Sequence, residues 1–225
     1  MVQGADHGKR SSPGQAVQPP AARLDRGRQG DPFLGERVAI LAADGVERVE
    51  LEQPREALER ADAQTEVLSI HDGEIKARKN DLDEAGTFTV DGSVADASVG
   101  DYGTLLLPGG TLNTDQLRVD KDAASFVRDS VESGKPVAAT CHGPWTLIKV
   151  GVVGDRTLTY FPSIRTDLRN AGAEVVDQDV VVDGNLITSR SPDDLPAFCD
   201  TVVARFASNS VAKFASNSTQ RKVTS

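Results

Sequence analysis

Cysteine is nearly missing from this chain: only Cys141 and Cys199 occur in 225 residues. That is too few for a disulfide framework and too few for a cysteine-rich zinc site. Aromatic residues are scarce as well, at 4%, with a single Trp. No apolar run approaches the roughly 18 residues that a membrane-spanning helix requires. The opening stretch MVQGADHGKRSSPGQ has no apolar segment of the secretory kind. Basic charge is the minority sign, 25 Lys+Arg against 34 Asp+Glu, which leaves a net charge of −9. A nucleic-acid-coating surface needs a concentrated basic patch, and this balance argues against one. The absences together predict a cytoplasmic protein with no nucleic-acid partner, no membrane partner and no metal.

What charge there is sits unevenly. Residues 1–31 carry five basic and three acidic residues, and 207–225 carry three basic and none acidic, so the acidic excess belongs to the middle. The first stretch is rich in Pro, Gly and Gln without apolar periodicity, and the last repeats Phe-Ala-Ser-Asn-Ser at 206–210 and 214–218. The predicted organisation is a disordered extension over 1–35, one domain over 36–206 and a flexible tail over 207–225.

Within the domain, short apolar runs alternate with helical patterns. RVAIL at 37–41, TEVLSI at 65–70, TLLL at 104–107 and VAAT at 137–140 have strand length. Their near-continuous apolarity suits strands covered by helices on both faces. Helices are expected from Pro54, from Asp120 as N-cap to Gly134, from Ser163 as N-cap to Gly172, and from Ser191-Pro192 onward. Residues 180–182 and 186–189 flank Asp183-Gly184, a hairpin signal. The sum is an α/β fold, a doubly wound, mostly parallel sheet with an added β-hairpin.

Ligands of such sheets bind outside the carboxyl ends of the strands. After the first strand comes Asp44-Gly45-Val46-Glu47, after TLLL comes Pro108-Gly109-Gly110, and after VAAT comes Cys141-His142-Gly143-Pro144. Cys141 falls where a buried strand turns directly into a helix, and nearby helix amides favour thiolate over thiol. Gly109 and Gly110 have no side chains to block their N–H groups, which can serve with the amide of His142 as an oxyanion hole. Glu47 is placed to bond the sulfur or to act as acid and base. No phosphate loop is present, because Gly109-Gly110-Thr111 lacks the closing Gly-Lys-Ser/Thr.

The stretches DGVERVELEQPREAL, DYGTLLLPGG, GKPVAATCHGPW, SIRTDLRNAGAEVVDQDVVVDGNLITSR and PDDLPAF resemble the PfpI branch of the ThiJ/PfpI superfamily, from about residue 36 to 206. The resemblance implies a class I glutamine-amidotransferase-like, flavodoxin-like fold, a dimer or hexamer, and no cofactor. By position it implies Cys141 as nucleophile, His142 as its neighbour and Glu47 as the carboxylate beside the sulfur. It also implies an acidic residue after the Gly-Gly turn, here Asp115, that completes a triad across a subunit interface. No histidine follows His142, so the downstream histidine of a true amidotransferase is missing. The implied function is a cysteine-dependent stress-protection enzyme acting on a small carbonyl substrate, as a glutathione-independent glyoxalase or protein deglycase. The alternatives are a cysteine peptidase with peptide substrates, and a non-catalytic redox-sensing or chaperone-like stress protein.

Overall fold

Three of the apolar runs, at 37–41, 104–107 and 137–140, lie side by side in the middle of one sheet, which is why they carry no polar face. The computed structural model describes Phe33 and residues 36–223, with side chains through Val211. The chain begins β1 (Arg37–Leu41), β2 (Val46–Glu47), α1 (Arg48–Arg60), β3 (Gln64–Ser69), β4 (Glu74–Lys79), β5 (Asp83–Thr89) and β6 (Gly92–Ser93). It continues β7 (Tyr102–Leu107), α2 (Thr111–Val119), α3 (Lys121–Glu132), β8 (Val137–Thr140), α4 (Pro144–Val150) and β9 (Thr157–Leu158). Last come α5 (Arg165–Asn170), β10 (Glu174–Val175), β11 (Val180–Asp183), β12 (Leu186–Ser189) and α6 (Leu195–Val223).

Among the described residues the main sheet has seven strands in the order β11-β12-β8-β7-β1-β3-β6. All pairings are parallel except β11 with β12, the expected hairpin. This is the doubly wound α/β fold. Successive strand residues point to opposite faces. Accordingly Ala39, Leu41, Leu105, Leu107 and Ala139 join a core with α3 and α4, while Val38, Ile40, Leu106 and Ala138 join a second core with α1 and α6. β2, β4 and β5 form a separate small sheet.

Several expected boundaries move. Pro54 lies inside α1, which starts at Arg48, so it is not a first-turn residue. Its missing N–H leaves the Glu50 carbonyl without the usual helical donor. Asp183 pairs with Leu186, so the hairpin turn is Gly184-Asn185. Asp120 does cap α3, accepting from the N–H groups of Asp122 and Ala123. Ser163 instead lies in a 3-10 turn, Pro162–Ile164, ahead of α5.

Packing continues to either side of the expected domain limits. The expected extension over 1–35 lies outside the described residues except for Phe33, which is buried in the core with α1 and α6. The expected limit at 206 falls inside α6, and four residues further on Ser210 is 2% exposed and bonds Glu36. Helical periodicity carries Val202, Phe206 and Ser210 along one buried face, so the helix continues past Phe206.

Candidate active site

The ends of β1, β7 and β8 meet at one edge, beside the point where the strand order reverses between β1 and β7. Asn113 of α2 ties these ends together. It accepts the Ala43 N–H at 2.7 Å and donates to the carbonyls of Pro108 and Gly109 at 3.0 and 2.9 Å. Asn113→Ala would strand the buried Ala43 N–H and is expected to cost about 1–3 kcal/mol in urea unfolding.

Cys141 ends β8 in the left-handed region, φ +55°, a conformation uncommon outside glycine. The elbow is held by Cys141 N–H to Ser189 O and by Gly143 N–H to Thr140 O. Gly143 cannot carry a side chain, because a Cβ would stand 2.6 Å from Leu107 O. The thiol is 6% exposed, and the N–H groups of Gly110 and His142 both point at the sulfur. Those amides lower the thiol pKa, as expected for an elbow, but burial and the neighbouring Glu50 outweigh them and raise it. The resting sulfur is therefore a thiol that needs a base. Cys199 lies on α6, its thiol raised to about 11 chiefly by burial.

The carboxylate beside the sulfur is Glu50 rather than Glu47. Glu50 is fully buried on the first turn of α1, its Oε2 accepting the Gly109 N–H at 2.8 Å and its carboxyl lying beside the Cys141 thiol. Its other oxygen, Oε1, is buried without a hydrogen-bond partner. Burial raises the Glu50 carboxyl to about 8, against the pull of Cys141 and the Gly109 amide. Glu47 precedes the helix, donates its N–H to Gly109 O and accepts the Asp81 N–H at 3.2 Å. It is three residues too early to reach the sulfur.

This arrangement also divides the expected oxyanion hole. Gly109 donates its amide to Glu50, so the donors left for a reacting oxygen are Gly110 and His142. The His142 ring brings Nδ1 to 3.2 Å from Cys141 Sγ, and Nε2 meets Ser163 Oγ at 3.0 Å and Thr111 Oγ1 at 3.4 Å. The ring packs on Phe161 at 4.5 Å and Trp145 at 5.5 Å, and burial lowers its basicity despite Asp81 nearby. Asp115 is brought to none of these groups: its side chain is 58% exposed and pairs with Arg118 on α2. Glu50, Asp81, Thr111 and Ser163 are the site residues that sequence reasoning missed. A glutamate at the helical spacing of Leu51, Pro54 and Leu58 was the available signal for Glu50. Among the described residues no cluster of three or more metal-binding side chains exists, and no helix is long and apolar enough to cross a membrane.

Known proteins share this chain's sequence and fold. The protein/nucleic acid deglycase 2 of Escherichia coli is 43% identical over 166 residues, covering 73% of this chain and 94% of the relative. General stress protein 18 of Bacillus subtilis is 39% identical over 166 residues, with the same coverage of 73% and 94%. A two-domain protein of Anabaena variabilis, with DJ-1/ThiJ/PfpI-like and ferritin-like domains, superposes with a TM-score of 0.70 at 35% identity. The match covers 76% of this chain and 48% of that one, so this chain spans about half of the larger protein. The family model described as DJ-1/PfpI matches residues 36–205, which take in α1, the Gly-Gly turn and the Cys141 elbow. The chain belongs to the DJ-1/PfpI family.

Proposed function

We propose that the protein is a cysteine-dependent stress-protection enzyme that acts on small reactive carbonyls, as a glutathione-independent glyoxalase or deglycase. One observation supports this above the others: a buried carboxyl with its pKa raised to about 8 lies beside the same sulfur as the backbone N–H groups of Gly110 and His142. A thiol adding to an aldehyde must lose a proton, supply one to the carbonyl oxygen and shelter the transient negative charge. His142 Nδ1 takes the thiol proton, and Sγ bonds to the aldehyde carbon. The π electrons move to oxygen, held by the Gly110 and His142 amides, and oxygen takes the Glu50 proton. The hemithioacetal of an α-oxoaldehyde then carries a C–H that ionised Glu50 removes while protonated His142 gives its proton to the second carbonyl oxygen. Glu50 returns the proton to the adjacent carbon as the first hydroxyl gives its proton back to His142. The thioester so formed takes one water, releasing a 2-hydroxy acid and the thiol. No oxidant or reductant enters. The names of the Escherichia coli and Bacillus subtilis relatives support a deglycase-type stress role.

A second reading, peptide hydrolysis, draws on the 3.2 Å contact between Sγ and Nδ1. It needs Asp115 of a neighbouring subunit to reach His142. The test is glutathione-free loss of methylglyoxal against casein hydrolysis, each with Cys141→Ser alongside the wild type. Methylglyoxal consumed only by the wild type, with casein intact, is expected. Casein cleavage without methylglyoxal loss would transfer the assignment to the peptidase reading. Loss of neither substrate, with Cys141 oxidising readily, would leave a redox sensor.

A further inference from the structure

The turn between β4 and β5 reaches the histidine from outside the elbow. Asp81 Oδ1 accepts the Thr111 backbone N–H at 2.7 Å, and Oδ2 accepts the Thr111 hydroxyl at 2.8 Å. A carboxylate can only accept, so the hydroxyl proton points at Asp81. What Thr111 offers Nε2 of His142, 3.4 Å away, is then a lone pair, and a lone pair selects an N–H at that nitrogen. A neutral imidazole carries one ring proton, so Nδ1 is bare where it faces the sulfur. Ser163, the other partner of Nε2, does not decide the matter, because its hydroxyl donates or accepts equally well.

The turn is built to hold Asp81 there. Asn80 and Asp81 are consecutive at φ +54° and +62°, the hairpin-turn conformation that Asn and Asp adopt most readily outside glycine. The Asp81 N–H is anchored on Glu47. The next residue, Leu82, is 81% exposed, so apolar packing of the tip is not the anchor. Other charged groups surround the ring without touching its nitrogens: Glu50 beyond the sulfur, Glu47 behind Asp81, and Asp167 and Arg118 around Trp145.

We propose that Asp81, acting through Thr111, is the positioning residue that fixes His142 as the Nε2–H tautomer, leaving Nδ1 free to take the Cys141 proton. One chain thus supplies its own acid–hydroxyl–imidazole–thiol series, with no call on Asp115. The inference rests on the preceding reading for the importance of Cys141, but its test does not pass through turnover.

The test follows histidine nitrogens by NMR in the full-length chain labelled with 15N-histidine. His142 is one of three histidines, and substitution of His7 and His71 assigns its signals. The wild type is expected to show neutral His142 with the proton on Nε2. Asp81→Asn, which suits the left-handed backbone equally well, donates an N–H to Thr111 and turns the hydroxyl proton toward the ring. The ring proton should move to Nδ1. Iodoacetamide alkylation of Cys141 at pH 7 should then slow by about 10- to 100-fold, the range for outer partners that fix an imidazole tautomer. Thr111→Val should also be slow, and Thr111→Ser, which keeps the hydroxyl, should restore most of the rate. An unchanged tautomer in Asp81→Asn, or equal rates for Thr111→Val and Thr111→Ser, would overturn the proposal. A wild type with the expected tautomer and alkylation profile but no methylglyoxal loss would sink the functional reading and leave this one standing.

Discussion

Glu50→Gln is expected to lower turnover of methylglyoxal by about 10²–10⁴-fold, the usual contribution of a general acid–base group. The amide keeps the shape and an oxygen for the Gly109 N–H, but holds no acidic proton to give the substrate. Glu47→Gln retains an acceptor for the Asp81 N–H and should stay far closer to the wild type, because its carboxyl does not face the sulfur. The same substitution has a signature in stability. The Glu50 carboxyl is raised from 4.5 to about 8 in the folded chain, so between those values the folded state holds more protons than the unfolded state. Stability should therefore be full below about pH 4.5 and fall as pH rises toward 8, by on the order of 4 kcal/mol. In Glu50→Gln that component vanishes and the denaturation midpoint should vary less over the window. A pH-stability curve identical to the wild type would remove Glu50 from the role assigned to it.

Gly110→Ala should be among the most damaging single changes in the chain. The residue sits at φ +94°, and an added Cβ would lie 2.7 Å from Glu47 N and closer still to Gly45 O. Both obstacles are backbone, so no rotamer change relieves them. Left-handed strain and the overlap together put the cost at about 3–5 kcal/mol, a fall in Tm of roughly 10 °C for a domain of this size. Gly134→Ala provides the comparison. It also has positive φ, +76°, but nothing lies within 4 Å of its added Cβ. Strain alone predicts about 1–2 kcal/mol there. Equal losses at the two positions would mean that backbone conformation, and not the close approach of the β1 loop, fixes glycine at 110.

The sheet was legible because its strands obey simple rules. RVAIL, TLLL and VAAT are apolar at all but one terminal position each, and each proves to be an inner strand facing two cores. The Cys141 elbow was legible because a buried strand meeting Gly143-Pro144 has nowhere to go but into a helix. The choice between Glu47 and Glu50 was not, since it depends on where α1 starts. Reading Pro54 as a first-turn residue left both glutamates in a loop, whereas the helix begins at Arg48 and buries Glu50 with Leu51 and Leu58. A buried glutamate runs against the normal exposure of its type. Asp81 was beyond reach for another reason. It meets Thr111 across 30 residues of sequence, and only the folding of the small sheet brings the two together. Ser163 shows a third kind of failure, in which a serine before a helix pattern looks like a cap while its hydroxyl bonds an imidazole.

The course of α6 sets where this domain tolerates additions. The helix leaves the sheet near Ser189, on the catalytic edge, and runs back along the strands; Asn209 bonds Gly103 and Ser210 bonds Glu36, at the starts of β7 and β1. Fifteen residues of helix span roughly 22 Å, about the length of the sheet it crosses. Glu36 and Ser210 are thus neighbours on the edge away from Cys141. A purification tag, a fluorescent reporter or a second enzyme domain joined ahead of Phe33 or beyond α6 would therefore sit on the side away from Cys141 and leave the mouth of the site open.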